Sequence, residues 1–141
     1  MNLNAFTRDT PGMTAEFPIS KAGMASAFET ISRSVAELGF PEGASHRLAV
    51  ILDELCSNMI RHDDTLTDSD SFAVDIRRDG NLITFTITDP GQPFNPFEHV
   101  HTEVPEIGGH GISLVKGLSC GVEYARKDGQ NMVTVRIDPE I

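Results

Sequence analysis

Ile83-Thr84-Phe85-Thr86-Ile87-Thr88-Asp89-Pro90-Gly91 alternates without a break until its last two residues. Ile83, Phe85 and Ile87 fall on one side and the three threonines on the other, the period of a half-buried β-strand. Asp89 continues the apolar series, so its carboxylate points to the covered face at the strand's end. A lone buried carboxylate is costly and needs a partner. Pro90-Gly91 breaks the strand beside it and opens room for a ligand. An Asp so placed accepts a hydrogen bond from an amino group.

The neighbouring segments repeat the pattern. Phe72, Val74 and Ile76 alternate with Ala73, Asp75 and Arg77, and Asp79-Gly80 or Gly80-Asn81 makes the hairpin turn between the two strands. Residues 121–127 and 131–137 read as two more strands around Lys127-Asp128-Gly129-Gln130, with Val133, Val135 and Ile137 alternating with Thr134 and Arg136. Residues 14–19 form a further strand, placed at an edge by Pro18. Ser20 is an N-cap for a helix to about Leu38, whose Phe28, Ile31, Val35 and Leu38 recur at helical spacing before Gly39 stops it. Pro41-Glu42 opens a second helix running to Arg61 or His62, and residues 111–119 form a third. Five strands with one apolar face, and three helices to cover it, make an α+β two-layer sandwich.

The chain has 141 residues and no splitting linker, so 1–141 reads as a single domain. A net charge of −10 argues against nucleic acid and against anionic lipid as partners. An anionic ligand must then be held by local backbone dipoles. No apolar run is long enough for a membrane span, and Met1 to Thr10 lacks the pattern of a secretory signal. Cys56 and Cys120 form no CxxC pair and fall in apolar helical patterns, so they read as small hydrophobes in a reducing cytoplasm.

Two further stretches carry chemistry. In the second helix, Leu48, Ile51, Leu52, Leu55 and Met59 form one stripe, and Glu54 and Asn58 a second, roughly 90° away. They line a pocket wall or a solvated flank. Gly108-Gly109-His110-Gly111 runs directly into an apolar helix, and a Gly-rich turn with a helix N-terminus cradles phosphate. Asp63 to Ser71 reads as a solvated turn without EF-hand spacing. Residues 92–107 form a long connection of the kind that serves as a lid. His99, His101 and His110 lack convincing zinc spacing.

In chain order these pieces are Glu54-x-x-x-Asn58 on a helix, Asp89-Pro90-Gly91 after a strand, and Gly109-His110-Gly111 opening a helix. The trio resembles the N, G1 and G2 boxes of the GHKL (Bergerat-fold) ATPases over roughly residues 14–138. Leu52 to His62 looks most like the compact branch of anti-sigma-factor serine kinases. The resemblance implies a mixed, mostly antiparallel sheet with helices on one face, ATP and Mg²⁺ as cofactors, and 92–107 as the ATP lid. It assigns Glu54 as general base, Asn58 as the Mg²⁺ ligand, and Asp89 as the partner of the adenine amino group. Gly91 would admit the base, Gly109, His110 and Gly111 would line the phosphates, and Thr134 would lie near adenine. His62 would end the N-box helix. Two departures stand out. Pro93 replaces the second glycine of D-x-G-x-G, and no Arg or Lys occurs between Arg78 and Lys116.

The expectation is an Mg-ATP-dependent protein serine kinase and anti-sigma factor. It would phosphorylate a STAS-domain antagonist, sequester a sigma factor in a partner switch, and form a homodimer in which the Phe28–Leu38 helix is a candidate interface. The alternative is an ATP-binding regulatory module that binds partners without phosphotransfer: the absent lid cation favours it, and Glu54 favours the kinase. A detached histidine-kinase catalytic domain is a third reading, opposed by the absence of a preceding helix with a phosphoacceptor histidine.

Overall fold

Ser20 ends the first strand and starts the first helix. In the computed structural model, which describes residues 12–98 and 109–140, β1 (Gly12–Pro18) leads into α1 (Lys21–Glu37). Ser20 Oγ accepts from the Gly23 N–H at 3.0 Å, pairing one of the helix's orphan donors. At the other end Leu38 is the C-cap, and Gly39 takes the left-handed φ of 84° that stops a helix cheaply. The Leu38 carbonyl accepts from Arg78 Nη1 at 2.6 Å, which places a cation at the helix's negative end. The same guanidinium lies 4.5 Å over the Phe40 ring.

The remaining elements are α2 (Glu42–His62), β2 (Ser71–Asp79), β3 (Leu82–Asp89), α3 (Gly109–Gly117), β4 (Gly121–Lys127) and β5 (Gln130–Ile137). The first hairpin turns on Gly80-Asn81, with Gly80 at φ 63°. The second turns on Asp128 (φ 54°) and Gly129 (φ 76°), both left-handed, as a two-residue hairpin turn requires. α3 begins at Gly109, two residues earlier than the apolar pattern suggests. Gly109, His110 and Gly111 are therefore its first turn, not a loop before it.

The sheet order is β1-β2-β3-β5-β4, and every pairing is antiparallel. Among the described residues the sheet is thus antiparallel throughout, where a mixed, mostly antiparallel one was expected. β3 receives β5, the returning arm of the second hairpin, so no parallel neighbours arise. The inner face carries Val74, Ile76, Ile83, Phe85, Val135 and Ile137, all buried. α2 covers them with Leu48, Ile51, Leu52 and Leu55, and α1 adds Ala27, Ile31 and Val35. Each larger aliphatic side chain buried so contributes about 1.5–3 kcal/mol. Phe28 and Leu38 pack on this same core. The α1 stripe offered as a dimer interface is therefore largely spent inside the chain.

The outer face holds Thr84, Thr86, Thr88 and Thr134, half-buried, with Thr86 and Thr134 hydroxyls 3.0 Å apart. Both cysteines are free; Cys56 is buried, but Cys120 is exposed in the link after α3 and is not the core residue expected. No helix among the described residues is long and apolar enough to cross a membrane.

Candidate functional site

Strand register builds the site. Asp89 pairs with Asn131 across β3 and β5, and Asn131 pairs with Arg126 across β5 and β4. One row of the inner face, apolar everywhere else along these strands, is polar at this end of the sheet. Asn131 is its hub and is buried. Its Nδ2 donates to Asp89 Oδ1 at 3.1 Å and to the Gln92 carbonyl at 2.8 Å. Its Oδ1 accepts from the Phe94 N–H at 3.2 Å, Tyr124 Oη at 2.5 Å and Arg126 Nη1 at 3.1 Å.

The turn after β3 is held from both sides. Arg126 Nη1 donates to the Gly91 carbonyl at 2.7 Å, and Asp89 Oδ1 accepts from the Gly91 N–H at 2.8 Å. From the opposite side comes Asp63, the C-cap of α2, whose Oδ2 accepts from the Gln92 N–H at 2.6 Å. Its Oδ1 accepts from the Thr65 N–H and hydroxyl. Asp63 is buried, so it is a structural strut of the site and not part of a solvated turn. These side-chain bonds fix the path of the turn although Pro93 stands where a second glycine was expected.

Gly91 fits between the two carboxylates because it has no side chain. A Cβ there would lie 2.4 Å from Asp63 Oδ2 and 2.9 Å from Asp89 Oδ1. Its φ is ordinary, so the constraint is purely steric. Gly91→Ala is expected to push Asp63 off Gln92 and destabilise the fold by about 1–3 kcal/mol. Thermal melting against a Gly43→Ala control, where a Cβ meets nothing within 4 Å, checks it. Equal melting of the two variants would contradict the wedged geometry.

The two carboxylates are tuned in opposite directions. Burial pushes Asp89 above the ordinary carboxylate range; bonds from Gly91 and Asn131 oppose this, nearby Asp63 adds to it, and Arg126 reduces it. The Thr65 hydroxyl and the Gln92 N–H hold Asp63 below that range. Cys56 is pushed strongly up by burial and then by Asp89, which makes its thiol inert.

Asp89 lines a pocket that is partly open to solvent. Its walls are Leu55, Asn58 and Met59 from α2, Ile87 and Val133 from the sheet, and Gln92, Phe94 and Pro96 from the following segment. Asp63, Asp89 and Asn131 complete it. Asn58 is 5% exposed, so it belongs to the pocket wall and not to a solvated flank. Glu54, half-buried one turn earlier on α2, does not line the pocket. Thr134 is not brought here: it lies on the outer face against Thr86. Gly109, His110 and Gly111 form the first turn of α3, which packs on α2; their side-chain surroundings, His62's, and the part beyond Glu98 of the segment expected to be a lid lie outside the described residues.

The residues present fit a purine nucleotide with a hard cation. Asp89 Oδ2 makes no hydrogen bond among the described residues, which leaves a charged acceptor facing an apolar slot. Asn58 Oδ1 is a hard oxygen already satisfied by a cation, the Arg61 guanidinium at 2.9 Å. No group of three or more His, Cys, Asp or Glu that could hold a metal occurs among the described residues. A divalent cation at Asn58 would take its other ligands from phosphate.

Residues 17–137 match the family model described as histidine kinase-like ATPase domain. Among solved structures, the RsbU and RsbW domains of a Mycobacterium tuberculosis protein superpose with a TM-score of 0.62 at 15% identity, covering 91% of this chain and 32% of that one. The histidine kinase domain of a blue-light activated histidine kinase from Erythrobacter litoralis gives 0.50 at 18% identity, covering 87% and 62%. The chain thus spans about a third of the first and under two thirds of the second. These likenesses concern the fold alone. No curated protein sequence matches the chain.

Proposed function

Since the chain belongs to the histidine kinase-like ATPase domain family, we propose that it binds Mg-ATP in the Asp89 pocket and acts as a protein serine kinase. The observation that carries this reading is the buried Asp89, oriented through Oδ1 by Gly91 and Asn131 and with Oδ2 left over for a ligand amino group. The adenine would lie in the slot of Leu55, Met59, Ile87 and Val133, admitted by Gly91. Asn58 would hold Mg²⁺, and the first turn of α3, from Gly109 through His110 to Gly111, would meet the phosphates with unpaired N–H groups. Bound Mg²⁺ supplies neutralisation of charge on the transferring phosphoryl group.

Glu54, one turn from Asn58, would take the proton of a serine hydroxyl as that oxygen bonds to the γ-phosphorus and the bond to ADP breaks. The substrate would be a STAS-domain antagonist, and the non-phosphorylated partner a sigma factor, in a cytoplasmic partner switch. Leu52 to His62 and the likeness to a structure containing an RsbW domain support this branch. A second reading, a nucleotide-gated binding module without phosphotransfer, is favoured by the lack of any Arg or Lys between Arg78 and Lys116.

Phosphotransfer from labelled ATP to a candidate antagonist separates them. The kinase reading expects label on the antagonist, falling by about 10²–10⁴-fold in Glu54→Gln while ATP binding persists. ATP binding with no transfer from the natural protein would leave the binding module.

A further inference from the structure

The oxygen assigned to the metal is already in use. Asn58 Oδ1 accepts from Arg61 Nη2 at 2.9 Å, a pair three residues apart on the same helical face. Arg61 is exposed, one turn along α2 from Asn58, which is buried in the pocket wall.

We infer that Arg61 is a resident cation of the nucleotide site, holding the Asn58 oxygen in the free protein and yielding it to Mg²⁺ when the nucleotide arrives. The inference rests on the Mg-ATP reading above. Two observations carry it. First, the residues that line the pocket include two carboxylates, Asp63 and Asp89, and no Lys or Arg, in a chain of net charge −10. The guanidinium of Arg61 is bonded directly to Asn58, the residue assigned to the metal. Second, a doubly charged ion and a guanidinium on one amide oxygen repel each other, so both cannot keep it.

A guanidinium that leaves Asn58 has a better partner available, because its planar fork matches phosphate oxygens. Arg61 thus attracts the nucleotide when Mg²⁺ is absent and competes with Mg²⁺ for Asn58 when it is present. It also offers the positive charge that the segment between Arg78 and Lys116 does not supply.

These two effects have opposite signs, which separates the inference from a merely structural role. Calorimetric titration of ATP in EDTA and in excess Mg²⁺ gives the factor by which Mg²⁺ strengthens binding. In Arg61→Ala, and in Arg61→Gln as a neutral variant of similar length, that factor is expected to rise about threefold to tenfold. ATP alone should bind more weakly to both variants. A variant that only loosened α2 would weaken both titrations alike and leave the factor unchanged, and an unchanged or smaller factor overturns the inference. Loss of the Mg²⁺ effect in Asn58→Ala marks the metal site independently. A natural protein that binds no ATP, or binds it without any Mg²⁺ effect, overturns the nucleotide reading and this inference with it.

Discussion

Asp89→Asn is expected to abolish ATP binding while making the protein more stable. The substitution keeps an oxygen at the Oδ1 position, so Gly91 and Asn131 still have an acceptor. It replaces the other oxygen by an NH₂ group, which meets the ligand's amino group donor to donor. Losing a charged hydrogen bond and burying an unmatched donor together cost about 3 kcal/mol or more, at least a hundredfold in affinity. Removing a buried charge that burial already disfavours should raise stability by about 1 kcal/mol, a few degrees in melting temperature.

The stability gain depends on pH in a definite direction. Burial raises the folded-state pKa of Asp89 above its unfolded value. Between those two values the folded state keeps a proton that the unfolded state has lost, so stability falls as pH rises through that window. The advantage of Asp89→Asn should be full at neutral pH and should shrink as pH falls through Asp89's raised range. Asp63 acts oppositely: its pKa is lowered, so its contribution is lost as pH falls through the folded value. Melting curves of both proteins across the acid range test this. An Asp89→Asn protein less stable than the natural one at neutral pH would contradict the assignment of a strained, ligand-directed carboxylate.

Asn131→Ala is expected to produce the largest loss of stability, about 3 kcal/mol, or roughly 10 °C in melting temperature. Five hydrogen bonds end on this one amide. Arg126 and Tyr124, more exposed, can turn to water. Asp89 Oδ1 and the Gln92 carbonyl cannot do so as readily, and a buried polar group left unpaired carries its full desolvation cost. Asn131→Asp should fare no better, because it sets a second carboxylate against Asp89 and removes the donor that orients it. Since the same amide holds the turn that walls the pocket, nucleotide affinity should fall together with stability. A melting temperature near the natural value would mean that the turn does not depend on Asn131.

The fold was legible because its signals are local. Alternation at 72–77, 83–89 and 133–137 and the helical stripes at 28–38 and 48–59 each depend on a few neighbouring residues. Asp89's inward direction followed from period two alone. What was not legible depends on which strands are neighbours. Asn131 begins the series Val133, Val135, Ile137, so its inward face was available from the same rule. Its partnership with Asp89 and Arg126 exists only because β5 lies between β3 and β4. Thr134 lies apart from the pocket for the converse reason: the same alternation that turns Asn131 and Val133 inward turns Thr134 outward. Asp63 escaped notice because a run of acidic, short side chains after a helix ordinarily faces water. Here the chain folds back so that the helix end meets the turn after β3, a contact between residues 29 positions apart.

The most direct test of the nucleotide site is a calorimetric titration of the natural protein with ATP and with ITP, both in excess Mg²⁺. ITP differs at the base in carrying an oxygen where ATP carries the amino group. If Asp89 Oδ2 reads that amino group, ATP binds and ITP binds at least about a hundredfold more weakly, because an acceptor then faces an acceptor. Equal affinities, or no binding of ATP, would contradict the assignment of this pocket.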